Sequence, residues 1–259
     1  MTKKKAIVFD VDGTLIPYGK KGIDTKLVEI LNTLKNDYYL FVATGRHMLE
    51  LSDLGGVDFD AYITSDGQVV TINSGEVYAS TIPKDDIENV VRYVTKNQIA
   101  CAFTEMDEYY INFTNRKVEK YHDYVVFNTP KIKDINKAID GEVLVVTVFD
   151  NDYEVKEILK LMPDCKMIRS NQYGADIVSA KSGKGTGLRK ALKHFNISNK
   201  NVIAFGDGEN DLDMFKVCLK TCAMGNGDET LKKEASYVSS DASEDGIING
   251  LKYFKVLED

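Results

Sequence analysis

Ala6-Ile7-Val8-Phe9-Asp10-Val11-Asp12-Gly13-Thr14 joins a short apolar run to two carboxylates that are one residue apart. The run is rich in β-branched and aromatic residues, which predicts a buried parallel strand that ends at Asp10. Because side chains alternate along an extended chain, Asp10 and Asp12 are expected to project to the same side. Open α/β sheets bind ligands at the carboxyl ends of their strands, so the stretch predicts two reactive carboxylates in one pocket. The alternative is a turn that only closes the strand.

Three further segments place small polar or charged residues next to a predicted strand or helix. Tyr38–Ala43 is a second apolar run and ends at Thr44-Gly45-Arg46. Val202–Phe205 is a third and ends at the acidic segment Gly206–Asp211. Ser182-Gly183-Lys184-Gly185 lies between them in sequence, just before a stretch with the periodicity of an amphipathic helix. The acidic segment has two alternatives, a plain turn and a calcium loop, but it lacks the later glutamate of a calcium loop.

In order and spacing, these four segments resemble the four signature motifs of the haloacid dehalogenase (HAD) superfamily of phosphotransferases. The chain is most similar to the Cof-type group, in which an α/β cap of the C2B type is inserted after the second motif. Ala223–Gly227 and Glu244–Ile247 resemble the closing strand and the start of the last helix of the family. The resemblance implies an α/β fold with a Rossmann-like, doubly wound parallel sheet as the core and a smaller inserted α/β cap domain.

The resemblance also implies a reaction that passes through an aspartyl-phosphate. Asp10 would be the nucleophile, because a carboxylate that is ionised at neutral pH can form such an intermediate. Asp12 would protonate the leaving oxygen and then activate water for the second step. Mg²⁺ would be held by Asp207, the Asp10 carboxylate and the Asp12 backbone carbonyl, since a few hard oxygen ligands leave room for water and phosphate.

A cradle for the transferred phosphoryl group follows from the same resemblance. Lys184 would balance the charge on the nucleophile and on the phosphoryl group, and Thr44 and the Gly45 N–H would add neutral donors. The Val11 N–H and Asn210 would complete this cradle. Taken alone, Lys184 has an alternative as a solvated surface lysine, and Thr44 has one as a helix cap.

Three other residues have roles that the sequence leaves open. Arg46 either contacts the substrate or pairs with an acid of the core. Asp211 is expected to lie behind the metal ligands, where it would orient Lys184 or a metal-bound water. Asp66 belongs to Ser65-Asp66-Gly67-Gln68, where relatives usually carry Asn-Gly-Ala. It either adds a negative charge where an anionic substrate arrives or holds a turn.

Composition limits the kind of protein further. The chain has 259 residues, of which 43% are hydrophobic, enough for one large domain or for a core with a smaller insert. The net charge of −7 argues against nucleic acid or acidic membrane as a partner. The basic start Met1–Lys5 precedes an apolar run that is too short for a signal peptide, and no segment approaches the roughly 18 apolar residues of a membrane span. A cytoplasmic protein is therefore expected. A monomer or weak homodimer is predicted, although no feature of the sequence determines the oligomeric state.

The four cysteines do not form the paired spacing of a metal knuckle. They are interpreted as reduced core thiols, in keeping with a cytoplasmic protein. An alternative for Cys218 and Cys222 is that they lie one helical turn apart and chelate a soft metal. The full set is Cys101, Cys165, Cys218 and Cys222.

The middle of the chain predicts the inserted cap. Pro83 begins a helix whose apolar residues recur with helical spacing, and a run of candidate strands with a second helix follows. The predicted core comprises residues 1–82 and 182–259, and the predicted cap comprises residues 83–181. Closure of such a cap over the strand ends would exclude water and supply side chains that select the substrate.

The sequence thus predicts a cytoplasmic, Mg²⁺-dependent phosphatase of small phosphorylated metabolites, with sugar phosphates as the expected substrates. The alternative is a phosphomutase, which returns the phosphoryl group to a second hydroxyl instead of water. A non-catalytic metabolite sensor is a weaker alternative, because Asp10, Asp12, Lys184 and Asp207 are all present.

Overall fold

Two separate stretches of the chain build one structural unit. The computed structural model describes residues 5–51, 54–73, 75–125 and 130–258. Met1–Ala79 and Gly183–Asp259 form the first unit, and Ser80–Ser182 form the second. The assignment of these units to a catalytic core and a cap, with the boundaries given above, stays a prediction.

Strands and helices alternate through much of the chain. The first part of the first unit contains β1 (Ala6–Phe9), α1 (Thr25–Leu34), β2 (Tyr39–Ala43), β3 (Ala61–Thr64), β4 (Val69–Ile72) and β5 (Gly75–Ala79). The second unit contains α2 (Lys84–Asn97), β6 (Cys101–Thr104), β7 (Tyr109–Ile111), α3 (Arg116–Val125), β8 (Lys131–Ile132), β9 (Val145–Val148), α4 (Asp152–Leu159), β10 (Cys165–Asn171) and β11 (Gly174–Ser179). The chain then returns to the first unit with α5 (Lys184–His194), β12 (Val202–Gly206), α6 (Leu212–Phe215), β13 (Lys220–Ala223), α7 (Glu229–Glu234), β14 (Tyr237–Val238) and α8 (Gly246–Tyr253).

The described strands of the first unit form one sheet in the order β14-β13-β12-β1-β2-β3-β4-β5. The strands from β14 to β3 are parallel, and β4 and β5 extend the sheet as antiparallel strands. β1 lies between β12 and β2, with Phe9 in register with Phe205 on one side and Val42 on the other. The carboxyl ends of these three strands therefore lie side by side.

The alternation of side chains along β1 supplies apolar groups to both faces of this sheet. Ile7 and Phe9 pack in a cluster with apolar residues of α1 and α8. Ala6 and Val8 pack in another cluster with residues of α5, α6 and α7. Phe9 also stacks on Phe205, with ring centroids 5.2 Å apart. Because helices cover both faces of the sheet, the predicted Rossmann-like, doubly wound α/β core is confirmed.

The second unit is a smaller α/β structure with the strand order β10-β11-β9-β6-β7-β8. Its described strands are antiparallel, except that β7 and β8 are parallel. The apolar sides of α2 and α4 pack on one face of this sheet, as the helical periodicity predicted. Val118 of α3 packs on the other face beside Phe149. β8 was not predicted from the sequence, since it has only two residues and both are exposed.

The cysteines are free thiols, of which Cys165 is partly exposed and the other three are buried. Cys218 follows α6, whereas Cys222 lies on β13, so the hypothesis that they share one helical turn is wrong. Burial raises the pKa of the Cys218 and Cys222 thiols to about 12. Both thiols therefore stay protonated at neutral pH.

A helix that spans a membrane must be long and almost entirely apolar. Among the described residues, no helix combines the length and the apolar character that crossing a bilayer requires.

Candidate active site

A buried lysine joins two of the carboxylates that follow the strands. The Lys184 ammonium group donates to Asp10 Oδ1 at 2.6 Å and to Asp211 Oδ1 at 2.7 Å. The lysine side chain is only 1% exposed. Asp10 follows β1, Asp211 lies in the turn after β12, and Lys184 is the first residue of α5. Lys184 is therefore not a solvated surface lysine.

Three buried carboxylates meet at this lysine. Asp10, Asp207 and Asp211 have carboxylate oxygens that lie within 4.8 Å of one another. A cluster of hard oxygen donors of this kind fits Mg²⁺, which prefers carboxylate and water ligands. Asp10 and Asp207 were predicted as metal ligands, and the structure brings them together. Asp211 was expected behind them, and its carboxylate lies within the same cluster.

Asp211 is held from two sides. Its Oδ2 atom accepts hydrogen bonds from the backbone N–H groups of Asp207 and Gly208, each at 3.0 Å. Its Oδ1 atom accepts the bond from Lys184 described above. Asp211 thus connects the loop after β12 to Lys184. From this position it would orient the lysine.

Asp207 has polar partners from distant parts of the chain. Thr14 Oγ1 donates to Asp207 Oδ1 at 3.2 Å, and the Tyr18 hydroxyl donates to Oδ2 at 2.9 Å. Asn226 Nδ2 approaches Oδ2 at 3.5 Å and donates to the Gly13 carbonyl at 2.9 Å. Neither Tyr18 nor Asn226 was predicted as a site residue. Asn226 lies in a segment that resembles a family motif, but no local pattern distinguishes Tyr18.

The excess of negative charge alters the protonation of these groups. Burial raises the pKa of Asp10 well above its ordinary value, with Asp211 and Asp207 adding to the rise and Lys184 opposing it. Burial, with a contribution from Asp211, raises the pKa of Asp207 to about 6. Burial would lower the pKa of Lys184, but the neighbouring carboxylates raise it well above its ordinary value. The lysine is therefore charged, and a divalent cation would balance the remaining negative charge.

Asp12 pairs with Arg46 instead of joining the carboxylate cluster. Arg46 Nε donates to Asp12 Oδ2 at 2.8 Å, and Arg46 Nη2 donates to Asp12 Oδ1 at 2.5 Å. The Asp12 side chain is 48% exposed. Of the two alternatives for Arg46, the structure contains the pairing with an acid. Asp10 binds Lys184 whereas Asp12 binds Arg46, and the expectation that the two carboxylates share one pocket stays a prediction.

The second motif directly follows β2. Thr44 is buried, and its Oγ1 atom accepts a hydrogen bond from the Arg46 N–H at 3.1 Å. A short helical turn begins only at Met48, with His47 as its N-cap, so Thr44 does not cap a helix. Val11, from the first motif, is also buried.

Asp66 and Asn210 form a contact that was not predicted from the sequence. Asn210 Nδ2 donates to Asp66 Oδ1 at 3.0 Å. Asp66 lies in a turn after β3 with the left-handed angle φ 52°, and its N–H donates to the Thr44 carbonyl at 3.0 Å. It is 5% exposed. Asp66 therefore holds a turn and also brings a buried carboxylate to the second and fourth motifs.

Gly67 presses this turn against the start of α5. A Cβ atom at Gly67 would lie 2.0 Å from the Gly183 carbonyl oxygen and 2.9 Å from the Lys184 nitrogen. The angle φ of Gly67 is +82°, which other residues adopt at a cost. The close approach therefore sets where the helix that carries Lys184 begins.

Gly67→Ala is expected to lower the free energy of unfolding by at least about 2 kcal/mol, because it adds a backbone clash to an unfavourable φ. Displacement of Lys184 should lower activity as well. Gly19→Ala is the matched control, since Gly19 has φ +80° but no atom within 4 Å of an added Cβ. Urea unfolding of both variants measures the difference. Equal losses would show that the contact with Gly183 is unimportant.

The fold agrees with comparisons to known proteins. The family model of haloacid dehalogenase-like hydrolases matches residues 7–251. Phosphoglycolate phosphatase of Nitrosopumilus maritimus is 27% identical over 253 residues, which cover 96% of this chain and 95% of that protein. A 5-amino-6-(5-phospho-D-ribitylamino)uracil phosphatase of Bacillus subtilis is 25% identical over 276 residues, covering 98% and 99%. A solved sugar phosphatase of HAD subclass IIB is 29% identical, with a TM-score of 0.89, and 98% of this chain and 100% of that chain are covered.

The chain therefore belongs to the haloacid dehalogenase-like hydrolases. These three relatives match nearly the whole chain and are phosphatases, so the prediction of a phosphoric monoester hydrolase is confirmed.

Proposed function

We propose that this enzyme is a Mg²⁺-dependent phosphatase that hydrolyses small phosphorylated metabolites through an aspartyl-phosphate at Asp10. The observation that carries the proposal is the bond between Lys184 and Asp10 inside a buried carboxylate cluster. Burying several like charges with one cation is costly for a fold. Such arrangements are typical of catalytic sites, where shifted pKa values serve the chemistry.

The proposed reaction has two displacements at phosphorus. In the first, an Asp10 carboxylate oxygen forms a bond to phosphorus while the bond to the leaving oxygen breaks, and Asp12 gives that oxygen a proton. In the second, a water oxygen bonds to phosphorus, Asp12 accepts its proton, and the bond to Asp10 breaks. Inorganic phosphate is the product. The pair of bonds from Arg46 would keep the Asp12 carboxylate in place between the two steps.

Mg²⁺ would be held by the carboxylates of Asp10 and Asp207 and by the Asp12 backbone carbonyl, with Asp211 beside them. Bound there, it would stabilise the charge that develops on the phosphoryl oxygens. The donor chemistry of the cluster supports this assignment.

The remaining cradle residues would bind the phosphoryl group. The charged Lys184 would offset the negative charge of the phosphoryl oxygens. Thr44, the backbone N–H groups of Gly45 and Val11, and Asn210 would add neutral donors around it. The second unit, Ser80–Ser182, is proposed as the domain that selects the substrate.

Sugar phosphates are the proposed substrates. The solved structure with 29% identity belongs to a sugar phosphatase, which supports this class. The other two relatives act on phosphoglycolate and on a phosphorylated ribitylaminouracil, so small organic monoesters are common to the set. We propose that the enzyme acts in the cytoplasm, where its four thiols would stay reduced.

The test is phosphate release by the purified enzyme from sugar phosphates, phosphoglycolate and an aryl phosphate, with Mg²⁺ or with a chelator. Turnover that requires Mg²⁺ is expected, with the highest kcat/KM on a sugar phosphate. Isotope from labelled water should enter the released phosphate. Transfer of the phosphoryl group to a second hydroxyl, without such labelling, would favour the phosphomutase instead.

Stabilisation by Mg²⁺ is expected to depend on pH. The raised pKa of Asp207, about 6, means that its ionisation costs stability as the pH rises from about 4 through 6 in the metal-free protein. A cation that binds the ionised form should restore this loss, so 10 mM Mg²⁺ should raise Tm by a few degrees at pH 7.5 and by less at pH 5. Differential scanning calorimetry at matched ionic strength measures both shifts.

Asp207→Asn is the control for this effect, because it removes the titrating ligand. The Mg²⁺-induced rise in Tm at pH 7.5 should largely disappear in this variant. A rise that is equal at both pH values in the wild type would contradict a role for Asp207 as a metal ligand.

A further inference from the structure

We propose that Asp66 is a positioning residue of the phosphate cradle, which holds the Asn210 amide and, through its negative charge, weakens the retention of inorganic phosphate. This inference rests on the proposed phosphatase function and concerns how its product leaves.

The contacts of Asp66 join it to three residues of the cradle. Its Oδ1 atom accepts the bond from Asn210, and its N–H donates to the Thr44 carbonyl. An added Cβ on Gly45 would lie 3.1 Å from Asp66 Oδ2, so the second carboxylate oxygen lies beside the Gly45 backbone. Because Asp66 is buried, these contacts are sheltered from water.

The carboxylate of Asp66 determines which way the Asn210 amide faces. An ionised carboxylate only accepts hydrogen bonds, so Asn210 must turn its NH₂ group toward Asp66. That bond uses one of the two N–H groups of Asn210, and the other is left for a phosphoryl oxygen. An asparagine at position 66 would keep an acceptor oxygen for the Asn210 NH₂ group but carry no charge, whereas a residue without a side chain would leave Asn210 unheld.

The charge of Asp66 also acts on the phosphate cradle. The charge of Asp66 raises the pKa of Lys184, with an effect that ranks after those of Asp10 and Asp211. The electric field of Asp66 therefore reaches the ammonium group. A phosphate ion between Lys184, Thr44 and Gly45 would be repelled by Asp66, and burial limits the screening of that repulsion. A substrate can offset the repulsion through contacts of its leaving group, whereas inorganic phosphate has no such group. The expected consequence is faster release of the product.

The first experiment measures inorganic phosphate as a competitive inhibitor of aryl phosphate hydrolysis with Mg²⁺ at pH 7. In Asp66→Asn, the inhibition constant of phosphate is expected to fall about five- to tenfold, and kcat is not expected to rise. Glu209→Gln is the matched control. It removes an exposed carboxylate from the same loop as Asn210, so water should keep the change below about twofold.

Comparing Asp66→Gly with Asp66→Asn separates the effect of the Asp66 charge from its role in positioning Asn210. The left-handed backbone angle at position 66 suits glycine, so this variant should fold, and it removes both the charge and the acceptor for Asn210. Its phosphate inhibition constant should also fall below that of the wild type, whereas its KM for the aryl phosphate should exceed that of Asp66→Asn.

An inhibition constant that is unchanged or raised in Asp66→Asn overturns the proposal. If that variant does not fold, the same result in Asp66→Gly overturns it. Equal KM values in the two variants would remove the positioning role. A wild-type enzyme that hydrolyses no phosphate monoester would instead overturn the proposed function, and the two failures are therefore distinguishable.

Discussion

Asp10→Asn is expected to lower kcat/KM for phosphate release at least about 1,000-fold, because an amide cannot serve as the attacking carboxylate. The same change should leave the fold intact, since the backbone N–H of residue 10 still donates to the Phe205 carbonyl at 2.9 Å. Removal of one buried charge also relieves the repulsion from Asp207 and Asp211. Without Mg²⁺, Asp10→Asn should therefore be at least as stable as the wild type while it is inactive.

Asp37→Asn provides the control for this result. Asp37 is an exposed residue of the turn after α1, and the chemical change is the same. Its activity should stay within about twofold of the wild type, as is usual for surface substitutions away from a site. If Asp10→Asn kept a tenth of the wild-type turnover, another group would have to be the nucleophile.

Lys184→Met is expected to reduce both activity and stability. It keeps the length of the side chain but removes the cation that binds Asp10 and Asp211. Loss of one partner from a buried ion pair typically costs about 3–5 kcal/mol, because the remaining charge is buried without compensation. Activity should fall at least about 100-fold, since the cation would stabilise the transferred phosphoryl group.

The destabilisation should also depend on pH. The pKa of Asp10 is already raised by burial, and removal of Lys184 would raise it further. As the pH falls below the pKa of Asp10, this carboxylate takes up a proton and the missing cation matters less. Urea unfolding without Mg²⁺ should show a larger loss at pH 7 than at pH 5.

Lys193→Met, an exposed lysine on the same helix, is the control for Lys184→Met. It should change the free energy of unfolding by less than about 0.5 kcal/mol at either pH. A pH-independent loss in Lys184→Met would mean that the lysine contributes packing only, not charge compensation.

The strands around the site could be predicted because burial leaves a local mark in the sequence. All four residues of β1 are buried, and the apolar run ends where the carboxylate of Asp10 begins. The position of Lys184 was predictable only through resemblance to the family, since a single lysine before an amphipathic helix has no specific local pattern. The structure then brings this lysine to Asp10 across 174 residues of sequence.

Long-range polar contacts could not be predicted from the sequence. Tyr18 and Asp207 are 189 positions apart, and Arg46 and Asp12 are 34 apart. Neither contact repeats with a period, and each depends on loop backbones that follow the strands. The alternation rule predicted that Asp12 lies beside Asp10, but it could not predict that Arg46 binds the Asp12 carboxylate.

The division of the first unit between both ends of the chain affects synthesis on the ribosome. β1 can pair with β2 early, but its other neighbour, β12, and the cation Lys184 are translated only after Ser182. Until then β1 is an open sheet edge, the kind of surface that pairs with other chains. Nonsense mutations within the second unit should therefore yield aggregating fragments and not partially active enzyme, and chaperones that bind nascent chains should engage this protein until its last third emerges.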